Sequence, residues 1–285
     1  MVFTDPAYKE CKRLIDMART HDSQYFFEIC KSAFSNEPII RKDAIISLGV
    51  LRDSRSYFVL ASLFKGADIF EDPIEIRKNV IYAFGENLDL RGRELLELSA
   101  KNTSGYQNIA KRVLKKLGKR SMIYTYLGTE ENLQEGKTQK GMILIPENLS
   151  LLERHIQGRN VHPQTYIVDK SQRLILGIDL EEHVQVASGN QILAAGEIRF
   201  SYDSGILGIT ELNNRSNSYF PHESSIKFVK QKLKQVGLKV SNDVIQTFPR
   251  EGWLEEDWLQ VHITTIFQLL GPEYLHYSQE LFSQK

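Results

Sequence analysis

Three segments in the first half of the chain share one pattern of apolar and polar positions. From Ile40, apolar residues recur at i, i+4, i+5 and i+8, which is the period of one helix face. The same pattern begins again at Ile76 and at Ile109, and each segment closes with a glycine, a residue that commonly ends helices. The pattern therefore predicts three equivalent amphipathic helices with glycine C-caps. They are Ile40–Gly49, Ile76–Gly85 and Ile109–Gly118.

Further apolar segments lie between these helices and can pair with them as helical hairpins. They are Ser56–Lys65 and Glu94–Lys101, and residues 5–35 are expected to add one more pair that starts at Asp5-Pro6. Stacked pairs predict a short α-solenoid. With its Arg-Lys start and Leu-Gly end, the pattern over residues 36–119 resembles the HEAT-like repeats of scaffolding and phycobilin-lyase-type proteins. The resemblance implies a fold and says little about function.

The second half of the chain has short segments rich in β-branched and aromatic residues, separated by turn residues, which predict strands. These segments are Met122–Gly128, Met142–Pro146, Gln164–Asp169, Arg173–Asp179 and Leu259–Ile266. Glu223–Val236 instead has helical period and precedes Gly237, so it predicts an amphipathic helix. The predicted fold class is therefore α+β with two domains. They are a HEAT-like solenoid over 1–119 and a β-rich α+β domain over 120–285.

One stretch of the second half, HVQVASGNQILAAGEIRF from His183 to Phe200, alternates like a β-hairpin around Gly189-Asn190. A two-residue turn there places Val186 opposite Leu193, and His183 beside Gly196. Because Gly196 has no side chain, the long polar side chain of His183 lies beside a shallow recess. In this recess the imidazole can approach a ligand. The alternative is that the small residues admit a packed helix and that His183 is structural.

The span Tyr166–Leu238, which contains this stretch, resembles the C-terminal domain of plant IQ-motif calmodulin-binding proteins, with related domains in uncharacterised bacterial proteins. Residues that match the family pattern are His183, Gly189, Ala194–Gly196, Ser216, Tyr219 and Pro221. The chain departs from the pattern at Val184 and Gln185, where the family has serines, and at Asn217 and Ser218, where it has Gly-His. A calmodulin-binding IQ segment is also not evident. The resemblance implies a domain type and no settled activity.

The charges are distributed unevenly, although they sum to zero. Residues 1–120 hold 21 Lys and Arg against 16 Asp and Glu, and the rest of the chain holds 15 against 20. This excess is too small for a dedicated nucleic-acid binder, so no nucleic-acid partner is expected. In the repeated helices, basic residues recur and predict a ladder that binds an acidic protein, or else an ordinary solvated helix face. The ladder residues are Arg41, Lys42, Arg77, Lys78, Lys111 and Arg112.

The sequence also predicts compartment and cofactors. No apolar run approaches the roughly 20 residues that span a bilayer, and the first residues lack a secretory signal, so a cytoplasmic protein without membrane contact is expected. Cys11 and Cys30 have neither disulfide nor metal spacing and are expected to be buried thiols. His155 and His162 have no cysteine or paired carboxylates in ligand spacing nearby. We therefore predict no metal and no cofactor.

Two functions stay open at this point. The first is an interaction or scaffold protein that binds a macromolecular partner through the helical repeats, with the C-terminal domain as a second binding module. The oppositely charged halves also permit self-association. The second is an enzyme acting on a nucleotide such as NAD, with His183, Glu197, Arg215 and Tyr219 around a cleft. Trp253 and Trp258 lie in an acidic segment that is either a docking strip or an anchored loop.

Overall fold

The computed structural model describes most of the chain. The described residues are 5–101, 105–118, 122–128, 130–136, 141–157, 162–178, 181–247 and 256–283. They form an α+β fold, as predicted, and divide into two compact units. A helical unit comprises Met1–Ser121 together with Glu251–Lys285, and a sheet unit comprises Met122–Arg250.

The described residues between 5 and 118 form seven α-helices of the helical unit. They are α1 (Pro6–Arg19), α2 (Phe26–Ser32), α3 (Pro38–Leu51), α4 (Ser56–Lys65), α5 (Pro73–Asn87), α6 (Arg93–Lys101) and α7 (Gln107–Leu114). The predicted helices and their partners are therefore confirmed, including the start at Asp5, whose carboxylate accepts the Ala7 N–H at 2.9 Å. Helices α1, α3, α5 and α7 pack side by side in that order.

The glycines of the repeated pattern do not all act as predicted. Gly49 and Gly85 lie inside α3 and α5, and these helices end beyond them, at left-handed Arg52 and Leu88. A Cβ on Gly49 would lie 2.3 Å from the Ala83 carbonyl oxygen of α5. These C-cap predictions were wrong because the missing side chain serves the close approach of neighbouring helices instead. Gly118, after α7, does have a positive φ.

A repeated Asp-x-Arg turn joins the two helices of a pair, α3 to α4 and α5 to α6. Asp53 and Asp89 each accept the backbone N–H and the guanidinium of the arginine two positions later, Arg55 and Arg91. The guanidinium of Arg55 also donates to the Ser23 carbonyl, and that of Arg91 to the Ser54 carbonyl, so each turn bonds to the turn before it. The Asp89–Arg91 pair is fully buried. These charges therefore serve the fold and not a partner.

The described residues of the sheet unit form six strands and four α-helices. In chain order they are α8 (Glu130–Glu135), β1 (Met142–Ile143), α9 (Leu149–Ile156), β2 (Gln164–Asp169), β3 (Leu174–Leu176), α10 (His183–Ala187), β4 (Ile192–Asp203), β5 (Ile206–Asn213), α11 (Ile226–Gln235) and β6 (Ile245–Gln246). The strand order is β1-β3-β2-β4-β5-β6, antiparallel except for the parallel β5–β6 pair. The predicted strands at β1, β2 and β3 and the helix α11 are confirmed.

The two faces of this sheet carry different cores. Helices α9 and α11 cover one face, and a smaller cluster that includes residues of α10 covers the other. Within 122–128 only Tyr124 pairs with a strand, through a single bridge to Ile192, so the full strand predicted there was wrong. Its peptide groups nevertheless bond to Ile192 in both directions, at 2.8 and 3.0 Å.

The last segment of the chain packs within the helical unit. It forms α12 (Glu256–Leu270) and α13 (Leu275–Ser283), which contact α4, and the Tyr277 hydroxyl donates to the Phe34 carbonyl at 3.3 Å. The strand predicted at Leu259–Ile266 was wrong, because its buried residues recur with helical period. They are Leu259, Ile263, Ile266, Phe267 and Leu270. The sequence pattern had placed this segment with the second domain, whereas it belongs to the helical unit.

Candidate functional site

The recess predicted beside His183 is occupied by the chain itself. Residues His183–Ala187 form helix α10 and not a hairpin strand, so the predicted register was wrong. The backbone N–H of Glu182 donates to the Gln185 side-chain oxygen at 3.0 Å, which is one of the two reciprocal contacts of a capping box at the start of a helix. Gly189, with φ 69°, then donates to the Val184 carbonyl and ends the helix.

His183 is buried against the small residues of β4. Its Nε2 lies 3.0 Å from the Gly196 carbonyl oxygen. Since a carbonyl only accepts, this nitrogen carries the proton and donates. Burial lowers the pKa of His183 to about 4, against a smaller opposing effect of the Gly196 carbonyl. The imidazole is therefore neutral near pH 7 and holds α10 on the sheet.

Gly196 occupies a position that no larger residue fits. A Cβ there would lie 2.0 Å from the Asn213 carbonyl oxygen and 2.7 Å from the Tyr166 hydroxyl. That hydroxyl donates to the same Asn213 carbonyl at 2.6 Å, and burial raises the pKa of Tyr166 above its usual range. The run of small residues thus admits a buried hydrogen bond on one face and α10 on the other.

The other three catalytic candidates also make contacts inside the sheet unit. The Tyr219 hydroxyl donates to the Asn190 carbonyl at 3.1 Å, and burial raises the pKa of this tyrosine. The Glu197 carboxylate accepts from the Asn213 side-chain amide at 3.2 Å. Arg215 is exposed, and its backbone N–H donates to the Asn213 side chain at 2.9 Å. The structure thus places these groups in contacts that hold the sheet unit together.

Two further candidates cannot be placed as side chains. Trp253 lies outside the described residues, as does the side chain of Trp258, whose backbone belongs to α12. Both cysteines are free and buried, as predicted. Burial raises the pKa of the Cys11 thiol to about 11, so it is not ionised near neutral pH and is a poor nucleophile.

The six residues of the predicted basic ladder differ in how they are used. Arg41 is buried, donates to the Ser35 carbonyl at 2.8 Å and stacks 4.7 Å from the centre of the Phe70 ring. Arg77 pairs with Asp68 at 2.6 Å and also donates to the Phe64 carbonyl. The guanidinium groups of these two arginines therefore bind groups of the fold itself. Lys42, Lys111 and Arg112 are exposed.

A pocket of about 640 Å³ lies on α3, α5 and the start of α7. Lys42 and Lys78 line it together with apolar side chains. The apolar lining consists of Ile46, Tyr82 and Ile109. Lys78 pairs with Glu75 at 3.3 Å across a partly exposed surface, a contact that contributes little stability. Glu86 is the second acidic residue of the lining. The pocket by itself is therefore close to neutral in charge.

Helix α7, which contributes Ile109 to the pocket, and the turn that follows it carry four basic side chains. Lys111, Arg112, Lys115 and Lys116 are all exposed, and residues 105–118 include no Asp or Glu. Among the residues that the structure describes, these four cations form no ion pair or hydrogen bond with another side chain. We call these four residues the basic edge.

The ladder prediction did not include Lys115 and Lys116, nor the apolar side chains of the pocket. A position-by-position alignment of the repeats does find them. Lys42, Lys78 and Lys111 share one position, and Ile46, Tyr82 and Lys115 share the position four residues later. Since α3, α5 and α7 pack side by side, equivalent positions lie along one surface.

No helix in the described part of the chain has both the length and the apolar character needed to cross a membrane. Comparisons with models of known families, with curated proteins and with solved structures found no match to the chain. The two resemblances in the sequence therefore stay predictions.

Proposed function

We propose that the chain is a cytoplasmic interaction protein that binds an acidic protein partner through the pocket and the basic edge. The observation that carries the proposal is a group of exposed cations, without ion pairs among the described residues, on the helix that contributes Ile109 to a pocket with an apolar lining and on the turn that follows this helix. Unpaired surface charge of one sign raises the association rate with partners of the opposite sign. Exposed apolar side chains such as Tyr82, which is 46% exposed, supply the contact area that holds a partner.

The proposal treats the helical unit as a HEAT-like scaffold whose first helices form the binding surface. Three pockets support this use of the surface, because each draws its lining from α1, α3, α5 or α7 and neighbouring pockets share residues. Ile39 lines both pockets of about 280 Å³, and Lys42 lines one of these and the 640 Å³ pocket. A partner segment can therefore contact several repeats at once.

The nucleotide-enzyme alternative has weaker support. His183 and Tyr219 each donate to a backbone carbonyl of the sheet unit, so catalysis by these groups requires that α10 or the surrounding loop first move away. We therefore favour the interaction function.

A capture experiment tests the proposal. Full-length tagged protein is incubated with an extract of the source organism, and bound proteins are quantified by mass spectrometry. The variant Lys42→Glu/Lys111→Glu/Lys115→Glu is compared with Lys227→Glu/Lys234→Glu/Lys239→Glu, which reverses three exposed lysines of the sheet unit. Arg41 is left unchanged because its reversal would place a carboxylate in the core.

We expect a defined protein whose recovery falls at least about tenfold with the first variant and is unchanged with the second. Equal recovery from wild type and both variants would contradict the proposal, provided that circular dichroism shows each variant to be folded.

A further inference from the structure

The charge of the binding surface increases in one direction across the helices. At the position of Lys42, all three helices carry a lysine, and the next position holds Asp43 in α3, Asn79 in α5 and Arg112 in α7. This pair of positions therefore changes from neutral to one and then two positive charges. A partner surface with evenly distributed acidic residues would not match such a gradient.

The apolar character changes in the opposite direction. The position of Ile46 in α3 holds Tyr82 in α5 and Lys115 in α7. Ile46 and Tyr82 line the 640 Å³ pocket, and α7 contributes Ile109 to the same lining. Along the α7 helix, Arg112 and Lys116 follow Ile109 at i+3 and i+7, so they continue the stripe that borders the pocket. The basic edge thus lies on the helix that contributes Ile109 to the pocket and on the turn that follows it, with Arg112 and Lys116 on the same side as Ile109.

From these two gradients we infer that the pocket takes a large apolar side chain of a partner segment, and that two or more carboxylates on one side of that residue contact the basic edge. The inference rests on the proposed function and specifies the chemistry of the partner. A pocket of this size exceeds what one bulky side chain fills, so the flanking backbone can also be held. Charge complementarity fixes the direction of the bound segment.

The inference predicts a defined outcome of peptide selection. A displayed library of random 12-residue peptides is panned against the full-length protein, and enriched peptides are synthesised with a fluorophore for titration. We expect peptides with an aromatic or long aliphatic residue flanked on one side by at least two Asp or Glu. Their affinity should fall about tenfold on Lys111→Glu/Lys115→Glu and on Tyr82→Ala, and should survive Lys115→Arg.

The possible results separate the two proposals. Enriched peptides of another composition that still lose affinity on Lys111→Glu/Lys115→Glu would overturn the inferred chemistry and leave the binding surface in place. Peptides whose affinity no surface variant changes would overturn both proposals. Failure to enrich any peptide would contradict recognition of a linear segment.

A second probe distinguishes a peptide from another polyanion. A fluorescein-labelled single-stranded oligonucleotide of 12 nucleotides is titrated in parallel at matched ionic strength. We expect binding at least about tenfold weaker than that of the selected peptides and no effect of Tyr82→Ala, because an oligonucleotide would contact the cations alone. Tighter binding of the oligonucleotide, with a loss on Tyr82→Ala, would overturn the inference in favour of a nucleic-acid site.

Discussion

In the helical unit, the cations Lys42, Lys111 and Lys115 are exposed, whereas in the sheet unit His183 and Tyr219 donate to carbonyl groups inside the fold. Both sets combine residue types that are common in functional sites. The difference lies in whether the fold already uses their polar groups, since a hydrogen-bonding group engaged in the core is not available to a partner. The comparison therefore favours the helical unit as the binding surface.

The helical unit also contains the opposite case within itself. Asp89 and Arg91 form a fully buried ion pair, while Lys111 and Arg112 on α7 are exposed. Charge alone thus says little about function. The difference is that the Asp-x-Arg turn provides acceptors for the Arg91 guanidinium. These are the Asp89 carboxylate and the Ser54 carbonyl of the preceding turn.

The largest expected effect comes from breaking this buried pair. Asp89→Ala leaves the Arg91 guanidinium buried without its carboxylate, so we expect a loss of about 3 to 5 kcal/mol in the free energy of unfolding of the helical unit. Hydrogen exchange of α5 and α6 peptides in increasing urea measures it. The control Asp68→Ala removes the half-exposed partner of Arg77 and should cost less than about 1 kcal/mol. Similar small losses for both would refute the structural role of the turn.

The second expected effect is a pH dependence of the sheet unit. His183 is neutral in the fold with a pKa of about 4, against about 6.5 in the unfolded chain, so acid favours the unfolded state, which binds the proton first. Its contribution is fully present above pH 6.5 and is lost as pH falls to about 4, by up to about 3 kcal/mol. Urea unfolding of the sheet unit across this range measures it. His183→Gln should flatten the dependence, and an equally steep dependence in that variant would assign the effect to other groups.

A somewhat smaller loss is expected where β4 has no room for a side chain. Gly196→Ala places a Cβ against the Asn213 carbonyl and the Tyr166 hydroxyl, so we expect a loss of about 2 to 3 kcal/mol in the stability of the sheet unit. The matched control is Gly208→Ala in β5, where a Cβ would meet only the Ser201 hydroxyl at 3.0 Å. If thermal unfolding of the two variants were indistinguishable, the close packing described for Gly196 would be incorrect.

The smallest expected effect concerns the basic edge. Arg112→Ala and Lys115→Ala should each change the free energy of unfolding by less than about 0.5 kcal/mol, because neither side chain forms an ion pair among the described residues. Urea unfolding of the purified variants tests this directly. A loss above about 1 kcal/mol would mean that these cations stabilise the fold, which would remove the contrast with the buried pair.

The sequence predicted the long helices because their apolar period extends over two turns or more. It did not predict α10, since the five residues of His183–Ala187 fit both a strand and a helix. The Glu182 to Gln185 spacing and the following Gly189 were the local signals for a helix. In α12, the alternation of Val261, Ile263 and Thr265 obscured a helical stripe whose buried members extend further in both directions.

Other features depend on contacts that no local pattern contains. Glycine is needed at position 49 because the backbone of Ala83, on another helix, approaches too closely for a Cβ. Glycine is needed at position 196 because the Asn213 carbonyl, on another strand, does the same. Arg41 is buried and Lys42 is exposed because only one side of α3 faces the neighbouring helices. The candidate site was therefore predicted only in part, as a set of basic positions without the pocket beside them.

Site-specific photocrosslinking tests the central claim, that the pocket and the basic edge bind a protein partner, most directly. Benzoylphenylalanine replaces Tyr82 in the pocket or, as a control, Ile206 in the sheet unit, which is 71% exposed. The protein is irradiated in an extract of the source organism. We predict one major crosslinked protein from position 82, none from position 206, and loss of the crosslink on Lys111→Glu/Lys115→Glu. Identical crosslinks from both positions, or a crosslink at position 82 that this variant leaves unchanged, would contradict the claim.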